Sequence, residues 1–85
     1  MKEFNYKITD SLGIHARPAG LLVKTASAFS SAITLEKEDK SGDCKRIFAV
    51  MGLGVKCGDT VTFKIEGADE NEAKNALEKF MEENL

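Results

Sequence analysis

Three segments of the chain alternate apolar and polar residues, and this alternation limits the fold more than any other feature. In the clearest segment, Val61, Phe63 and Ile65 are separated by single polar residues, as in a strand that buries only one of its faces. The apolar residues of the other two segments are Phe4, Tyr6, Ile8, Ile33 and Leu35. Because such strands need cover on one face only, we expect an antiparallel sheet with all its helices on one side.

Two longer segments carry apolar residues at helical spacing and supply that cover. The first helix is predicted to begin near Pro18, because a missing N–H costs little in the first helical turn. The second follows Asp69, which together with Glu72 resembles a capping box. The apolar stripes comprise Ala19, Leu22, Val23, Ala26 and Phe29 in the first helix and Ala73, Ala76, Leu77, Phe80 and Met81 in the second.

A short helix and a weak strand complete the predicted order of elements. The apolar run 47–55 is interrupted by Gly52 and Gly54, which predicts a short helix with a loosened C-terminal end. Residues 37–42 are polar and predict a turn, and residues 43–45 a short third strand. A right-handed crossover between the first two strands leaves a gap that the fourth strand can fill. The predicted fold is therefore an α+β two-layer open-faced sandwich of order βαββαβα, with a four-stranded antiparallel sheet and three helices on one face.

Length and composition exclude several other classes of protein. Eighty-five residues leave no room for a second core, so we expect a single domain over residues 1–85. Twelve basic and fourteen acidic residues give a net charge of −2, which argues against nucleic acid as the main partner and against a small RNA-binding module. No apolar run approaches the ~20 residues of a membrane span, and the chain begins without a signal-peptide pattern. We therefore expect a cytoplasmic protein without membrane insertion.

The two cysteines offer no obvious framework for a disulfide or a metal. Cys44 and Cys57 fit neither a disulfide pattern nor a zinc-ligand spacing, so both are expected to be thiols in a reducing compartment. No paired carboxylates, catalytic triad or phosphate-binding glycine loop is visible elsewhere. The residues themselves therefore indicate no metal site.

The only histidine of the chain lies where the first helix is predicted to begin. A helix start presents unpaired N–H groups, here including that of Ala16, and the positive end of the helix dipole, so it favours anions. Arg17 adds a cation whose donors suit a phosphoryl group. The His15 imidazole is a nucleophile in its neutral form, so the three residues suit transient phosphorylation of the ring. From the residues alone, a capping or surface histidine without a reactive role remains an open alternative.

Residues 13–19, Gly-Ile-His-Ala-Arg-Pro-Ala, resemble the active-site segment of the HPr family, the histidine-containing phosphocarrier proteins of the bacterial phosphoenolpyruvate:sugar phosphotransferase system. The likeness extends along the chain through Leu22-Val23, Ala26, Lys45, Ile47, Val50-Met51, Leu53-Gly54-Val55, Glu66-Gly67 and Asp69-Glu70. The resemblance implies that His15 accepts a phosphoryl group from Enzyme I on Nδ1 and passes it to a histidine or cysteine of a sugar-specific Enzyme IIA or IIB. Arg17 would help to hold the phosphoryl oxygens. The resemblance also implies a carrier rather than an enzyme, with no metal and no bound cofactor.

The predicted helices also leave a set of outward-facing residues for a partner. These are Gly20, Leu21, Lys24, Lys45, Arg46, Ile47, Phe48 and Met51. A small apolar centre ringed by basic side chains suits a transient complex. The resemblance points to the same face for Enzyme I and Enzyme IIA, and we expect the chain to be a monomer.

Two positions depart from the family's pattern. Arg46 stands where many Gram-positive members carry a regulatory serine, so no hydroxyl is present there for phosphorylation. Leu12 stands where members often carry a small polar residue beside the active-site loop. These departures keep open an alternative function, an HPr-like regulatory binding module or a paralogue with altered partners.

Overall fold

Four strands form one antiparallel sheet in the order β1-β4-β2-β3, and three helices accompany it. The computed structural model describes residues 1–85. The strands are β1 (Lys2–Lys7), β2 (Ala32–Lys37), β3 (Lys40–Asp43) and β4 (Thr60–Glu66). The helices are α1 (Ala16–Ser27), α2 (Ile47–Met51) and α3 (Glu70–Asn84). This arrangement confirms the predicted fold class and element order.

The central strand β4 shows why the helices lie on one side of the sheet. Val61, Phe63 and Ile65 are fully buried, whereas the residues between them are half-buried on the opposite face. Phe63 pairs with Phe4 on one neighbouring strand and with Leu35 on the other, which forms an apolar row across the sheet. The side chains with which α1 and α3 cover this face are Pro18, Ala19, Leu22, Ala26, Ala73, Leu77, Phe80 and Met81.

The third strand lies earlier than predicted, so the placement at residues 43–45 is wrong. It occupies Lys40–Asp43 and follows β2 through a two-residue turn in which Glu38 has a positive φ of 56°. Gly42 faces α2 so closely that a Cβ there would lie 2.9 Å from the Ala49 carbonyl oxygen. The strand therefore needs a small residue where a typical strand has an apolar one, and alternation could not reveal it.

The start of α3 also differs from the prediction of a capping box. Asp69 is the N-cap residue, but its side chain makes no cap hydrogen bond. Its carboxylate instead accepts hydrogen bonds from the Ser31 hydroxyl at 2.5 Å and from the N–H groups of Ser30 and Ser31, both at 2.9 Å. These bonds, that of the Ser31 hydroxyl foremost, lower the pKa of Asp69 to about 2. Asp69 therefore ties the start of α3 to the segment between α1 and β2.

The two cysteines occupy opposite environments. Cys44 lies in the core, where burial raises the pKa of its thiol to about 12, and Cys57 is exposed. Both are free thiols, as expected. None of the helices combines the length and the apolar character that crossing a membrane requires.

Candidate functional site

His15 is the N-cap residue of α1. Its main chain is extended, with φ −94° and ψ −175°, and its carbonyl oxygen accepts the N–H of Ala19 at 2.9 Å. The N–H groups of Ala16 and Arg17 lie in the first turn, where no intrahelical acceptor exists, and Pro18 has no N–H to satisfy. The half-buried imidazole makes no cap hydrogen bond, so the ring is not a capping group in this structure.

A close approach between two loops fixes the chain just before His15. The N–H of Ile14 donates to the carbonyl oxygen of Val55 at 3.1 Å. Gly13 has a φ of +66°, and a Cβ there would overlap the Val55 oxygen and lie 2.7 Å from the Cα of Lys56. Only glycine suits both the dihedral angle and the space, so Gly13 anchors the segment on the loop that follows α2.

Lys37, at the end of β2, holds that second loop in place. Its ammonium donates to the Gly54 carbonyl oxygen at 2.9 Å and lies 3.0 Å from the Asp59 carboxylate. Asp59 also accepts the N–H of Lys56 at 2.8 Å. The Lys56 N–H and then Lys37 lower the pKa of Asp59. The sheet thus supports the loop on which the His15 segment rests.

His15 and Arg17 line one open pocket of about 250 Å³. The other lining residues are Asp10, Pro18, Leu21 and Asn84. Neither the imidazole nor the guanidinium has a hydrogen-bond or ion-pair partner in the chain, whereas Asp10 accepts the N–H of Leu12 at 2.8 Å. The pocket therefore offers a ring nitrogen and an uncommitted cation side by side, which can receive a phosphoryl group.

Asn84 is the lining residue that the sequence analysis missed. It lies in the last turn of α3 and donates its amide to the Phe80 carbonyl oxygen at 3.0 Å. The main-chain oxygen of Leu85 accepts the N–H groups of Thr9 and Asp10 at 2.6 and 2.9 Å, which fixes this helix end against the loop after β1. Helical periodicity predicts the buried stripe of α3 but not which loop its last turn meets, so no sequence signal pointed to Asn84.

The short helix α2 places exposed apolar side chains beside α1. Phe48 is 86% exposed, and Leu21 and Met51 are 44% and 39% exposed. Ile47 is half-buried against the core, and its Cδ1 would lie 3.8 Å from a Cβ at Gly20. Of the predicted partner residues, Phe48, Leu21 and Met51 therefore face solvent, while Gly20 and Ile47 lie where the two helices meet.

The exposed cations of this region belong to the same two helices as these apolar side chains or to their N-caps. Arg17, Lys24 and Arg46 are all exposed. The segments that supply this surface, 11–35 and 44–58, contain no aspartate or glutamate, although the whole chain has a net charge of −2. Charge is therefore distributed unevenly, with the positive part on the side of α1 and α2.

Two of the basic residues predicted to meet a partner differ in their bonding. The Lys45 ammonium donates to the carbonyl oxygen of Phe29 at 2.7 Å, which restrains the side chain. Arg46 is the N-cap residue of α2, and its side chain makes no cap hydrogen bond. Arg46 is thus free to move toward a partner, whereas Lys45 is held against the fold.

The structure offers no obvious metal site. No group of three or more histidine, cysteine, aspartate or glutamate side chains is placed to hold a metal ion. A second open cavity of about 500 Å³ lies along β2 and β3 and shares no lining residue with the His15 pocket. His15 therefore remains the residue around which the candidate site is built.

Comparison with known proteins identifies a family that matches nearly the whole chain. Residues 2–83 match the family model described as "PTS HPr component phosphorylation site". The phosphocarrier protein HPr of Lysinibacillus sphaericus is 45% identical over 98% of this chain and 94% of its own length. A histidine-containing phosphocarrier protein from Mycoplasma superposes with a TM-score of 0.94, at 40% identity over 96% of this chain and 93% of that one.

A further solved relative forms a dimer. The HPr dimer of Thermoanaerobacter tengcongensis superposes with a TM-score of 0.78, at 47% identity over 98% of this chain and 95% of that one. From the family match and these relatives, the chain belongs to the HPr family, the phosphocarrier proteins of the phosphotransferase system.

Proposed function

We propose that this protein carries a phosphoryl group on His15, taking it from Enzyme I and passing it to a histidine or cysteine of a sugar-specific Enzyme IIA or IIB. The observation that carries the proposal is the uncapped His15 imidazole beside the unpaired Arg17 guanidinium in one open pocket. Membership of the HPr family supports it. The protein acts as a substrate of its partner enzymes, and no cofactor is required.

The chemistry of loading follows from the groups at the start of α1. A ring nitrogen of His15 donates its lone pair to phosphorus, and the bond between phosphorus and the donor atom of Enzyme I breaks with its electron pair leaving on that atom. Charge on the phosphoryl oxygens is stabilised by the Arg17 guanidinium and by the N–H groups of the first helical turn, including that of Ala16. Transfer to the next protein is the same step with the roles exchanged.

The test of this proposal is incubation with phosphoenolpyruvate and Enzyme I, followed by intact mass measurement. We expect one acid-labile phosphoryl group on the wild-type protein and none on His15→Ala, with the variant folded by circular dichroism. An HPr of known activity, loaded in parallel, is the positive control. An unchanged wild-type mass beside a loaded control would contradict the carrier function.

We propose that both partners dock on the α1–α2 face, defined by Arg17, Gly20, Leu21, Lys24, Lys45, Arg46, Ile47, Phe48 and Met51. Arg17 and Leu21 also line the His15 pocket, so the face and the pocket are continuous. An exposed apolar centre with Phe48 as its anchor contributes binding energy, and the surrounding cations accelerate association with an acidic partner surface.

Amide chemical-shift mapping with Enzyme I tests this assignment. We expect the perturbed amides to lie on the α1–α2 face and Phe48→Ala to weaken binding. Lys64→Ala is the control, because Lys64 lies on the opposite face of the sheet, where it pairs with Glu36. Perturbations centred on that sheet face would overturn the assignment.

A regulatory binding module remains the second candidate, favoured by Arg46 at the start of α2. Such a module would bind a partner through the α1–α2 face without being loaded on His15, an outcome that the mass measurement distinguishes directly. We propose a monomer as the active form, supported by a single chain containing the whole candidate site. Because one relative is a dimer, size-exclusion chromatography before and after loading tests this form.

A further inference from the structure

The last turn of α3 contributes a neutral side chain to a pocket that must accept a dianion. Asn84 lines the His15 pocket together with Arg17 and Asp10. Hydrogen bonds from Thr9 and Asp10 to the Leu85 main-chain oxygen hold this helix end beside the pocket. The residue at position 84 is therefore placed by the fold rather than by a flexible tail.

The surroundings of Asn84 make its lack of charge noteworthy. Glu82, Glu83 and Asn84 are all exposed, but of the three only Asn84 lines the pocket. Asn84 donates its amide to the Phe80 carbonyl oxygen, so it completes a hydrogen bond within its own helix. At this helix end, the residue that lines the candidate site is therefore neutral, and the two acidic residues lie outside the pocket lining.

Arg17 is the group on which this difference acts. A guanidinium is a donor-only cation that binds carboxylates in bidentate pairs, and Arg17 forms no ion pair in this structure. The one carboxylate in the pocket, that of Asp10, accepts the N–H of Leu12. A carboxylate at position 84 could not donate to Phe80 and would turn to the nearest cation in the pocket.

We propose that Asn84 is a positioning residue that keeps Arg17 uncommitted, so that the guanidinium is available to the incoming phosphoryl group. It does this by filling the end of the pocket with a side chain that carries no negative charge and is bonded to its own helix. This inference rests on the proposed loading of His15. It adds the requirement that the residue at position 84, near the end of α3, carries no negative charge.

The test compares three variants in the rate of loading by Enzyme I. Asn84→Asp should load about fivefold more slowly at low salt, a factor that corresponds to roughly 1 kcal/mol for a unit-charge pair in water. Asn84→Ala should load faster than Asn84→Asp, because it adds no charge beside Arg17. Asn75→Asp is the matched control, since it makes the same change at an exposed position on the same helix.

Salt dependence separates charge from structure. At about 1 M salt, where the screening length is ~3 Å, the rate of Asn84→Asp relative to Asn75→Asp should approach one. The Arg17 Nε–H resonance should shift in Asn84→Asp and not in Asn75→Asp, a readout that does not require loading at all. Circular dichroism confirms that each variant is folded.

The possible outcomes are distinct. Equal loading of Asn84→Asp and Asn75→Asp with an unshifted Arg17 resonance would overturn the inference. Equally slow loading of Asn84→Ala and Asn84→Asp would show a structural role and overturn it as well. Failure of the wild type to load on His15 would instead refute the proposed function, while the Arg17 resonance would still decide the pairing.

Discussion

The start of α1 and the start of α3 both present unpaired main-chain N–H groups, but the chain surrounds them differently. At α3, Glu70 and Glu72 lie in the first turn, where negative charge is favourable to the helix dipole, and the Asp69 carboxylate accepts three hydrogen bonds. At α1 the first turn has no acidic residue, carries Arg17 and follows a histidine that does not cap it.

The difference separates a helix end whose polar groups are bonded within the fold from one whose polar groups are left open to a ligand. Polar groups that are bonded within the protein stabilise it, and groups that are left unpaired and accessible are available to an external anion. We therefore expect substitutions at the α1 start to change phosphoryl transfer and leave stability alone, and substitutions around the α3 start to do the reverse.

Arg17→Ala should give the largest effect, on transfer only. Under the proposed function Arg17 holds the transferring phosphoryl group, so its loss should slow loading by about 10- to 100-fold. An exposed, unpaired arginine contributes little to stability, so the free energy of unfolding should change by less than about 0.5 kcal/mol. Loading reactions quenched at successive times give the transfer rate, and unfolding in urea gives the free energy of unfolding. A loading rate of Arg17→Ala equal to that of the wild type would show that Arg17 takes no part in transfer and would contradict the comparison.

Ser31→Ala should give the converse result. Ser31 is buried, and its hydroxyl donates to a carboxylate, so the free energy of unfolding should fall by about 1–2 kcal/mol. Loading of His15 by Enzyme I should be unchanged. Ser27→Ala, at the exposed end of α1, is the matched control and should change stability by less than about 0.5 kcal/mol. Equal stability of the two variants would show that the Asp69 cluster contributes nothing beyond its main-chain bonds.

Acid should weaken the α3 start through Asp69. Its pKa is lowered from 3.8 to about 2, chiefly by the Ser31 hydroxyl. Because the folded-state pKa lies below the unfolded one, the carboxylate stabilises the fold above pH 3.8, and this contribution is lost as the pH falls toward 2. Unfolding in urea across that window should show a shallower loss in Asp69→Asn than in the wild type. Parallel pH profiles would contradict the assignment.

Arg46→Ser should give the smallest effect and extends the comparison to α2. Arginine caps α2 without a side-chain hydrogen bond, and serine is a better N-cap, so the free energy of unfolding should rise by about 0.5 kcal/mol. The salt dependence of Enzyme I binding should decrease, because one exposed cation is removed from the α1–α2 face. Lys7→Ser, on the opposite face of the sheet, is the control for charge loss. If Arg46→Ser and Lys7→Ser showed the same salt dependence of Enzyme I binding, Arg46 would not belong to the docking face.

Alternating and helical patterns predicted those parts of the fold whose side chains are sorted by burial. Val61, Phe63 and Ile65 face one core, and the stripe through Leu22 and Leu77 packs on it, so periodicity alone located β4, α1 and α3. The strand β3 was displaced in the prediction because Gly42 replaces an apolar residue under α2. A strand that needs a small residue to lie close to a helix does not show the alternation of apolar and polar residues by which strands are predicted.

The candidate site divides in the same way. The placement of His15 and Arg17 together at a helix start could be predicted because one short segment contains both residues. The capping box at Asp69 was a wrong prediction. The Asp69 carboxylate bonds to Ser30 and Ser31 instead, and these residues lie in a distant segment that only the packing of the folded chain brings near. Asn84 was missed for that reason too. A group of residues within one short segment can be predicted from the sequence, whereas a contact between the ends of distant elements cannot.

The different exposure of the two thiols allows the opening of one sheet edge to be followed by thiol labelling. A reagent that modifies thiolates can reach Cys57 at once, whereas Cys44 is fully buried and has a pKa of about 12. Cys44 follows β3 directly, and its N–H donates to Ile33 at 2.9 Å, so it becomes reactive only when the β2–β3 edge separates from the core. In a Cys57→Ser background, the labelling rate of Cys44 therefore reports how often that edge opens, without any added probe.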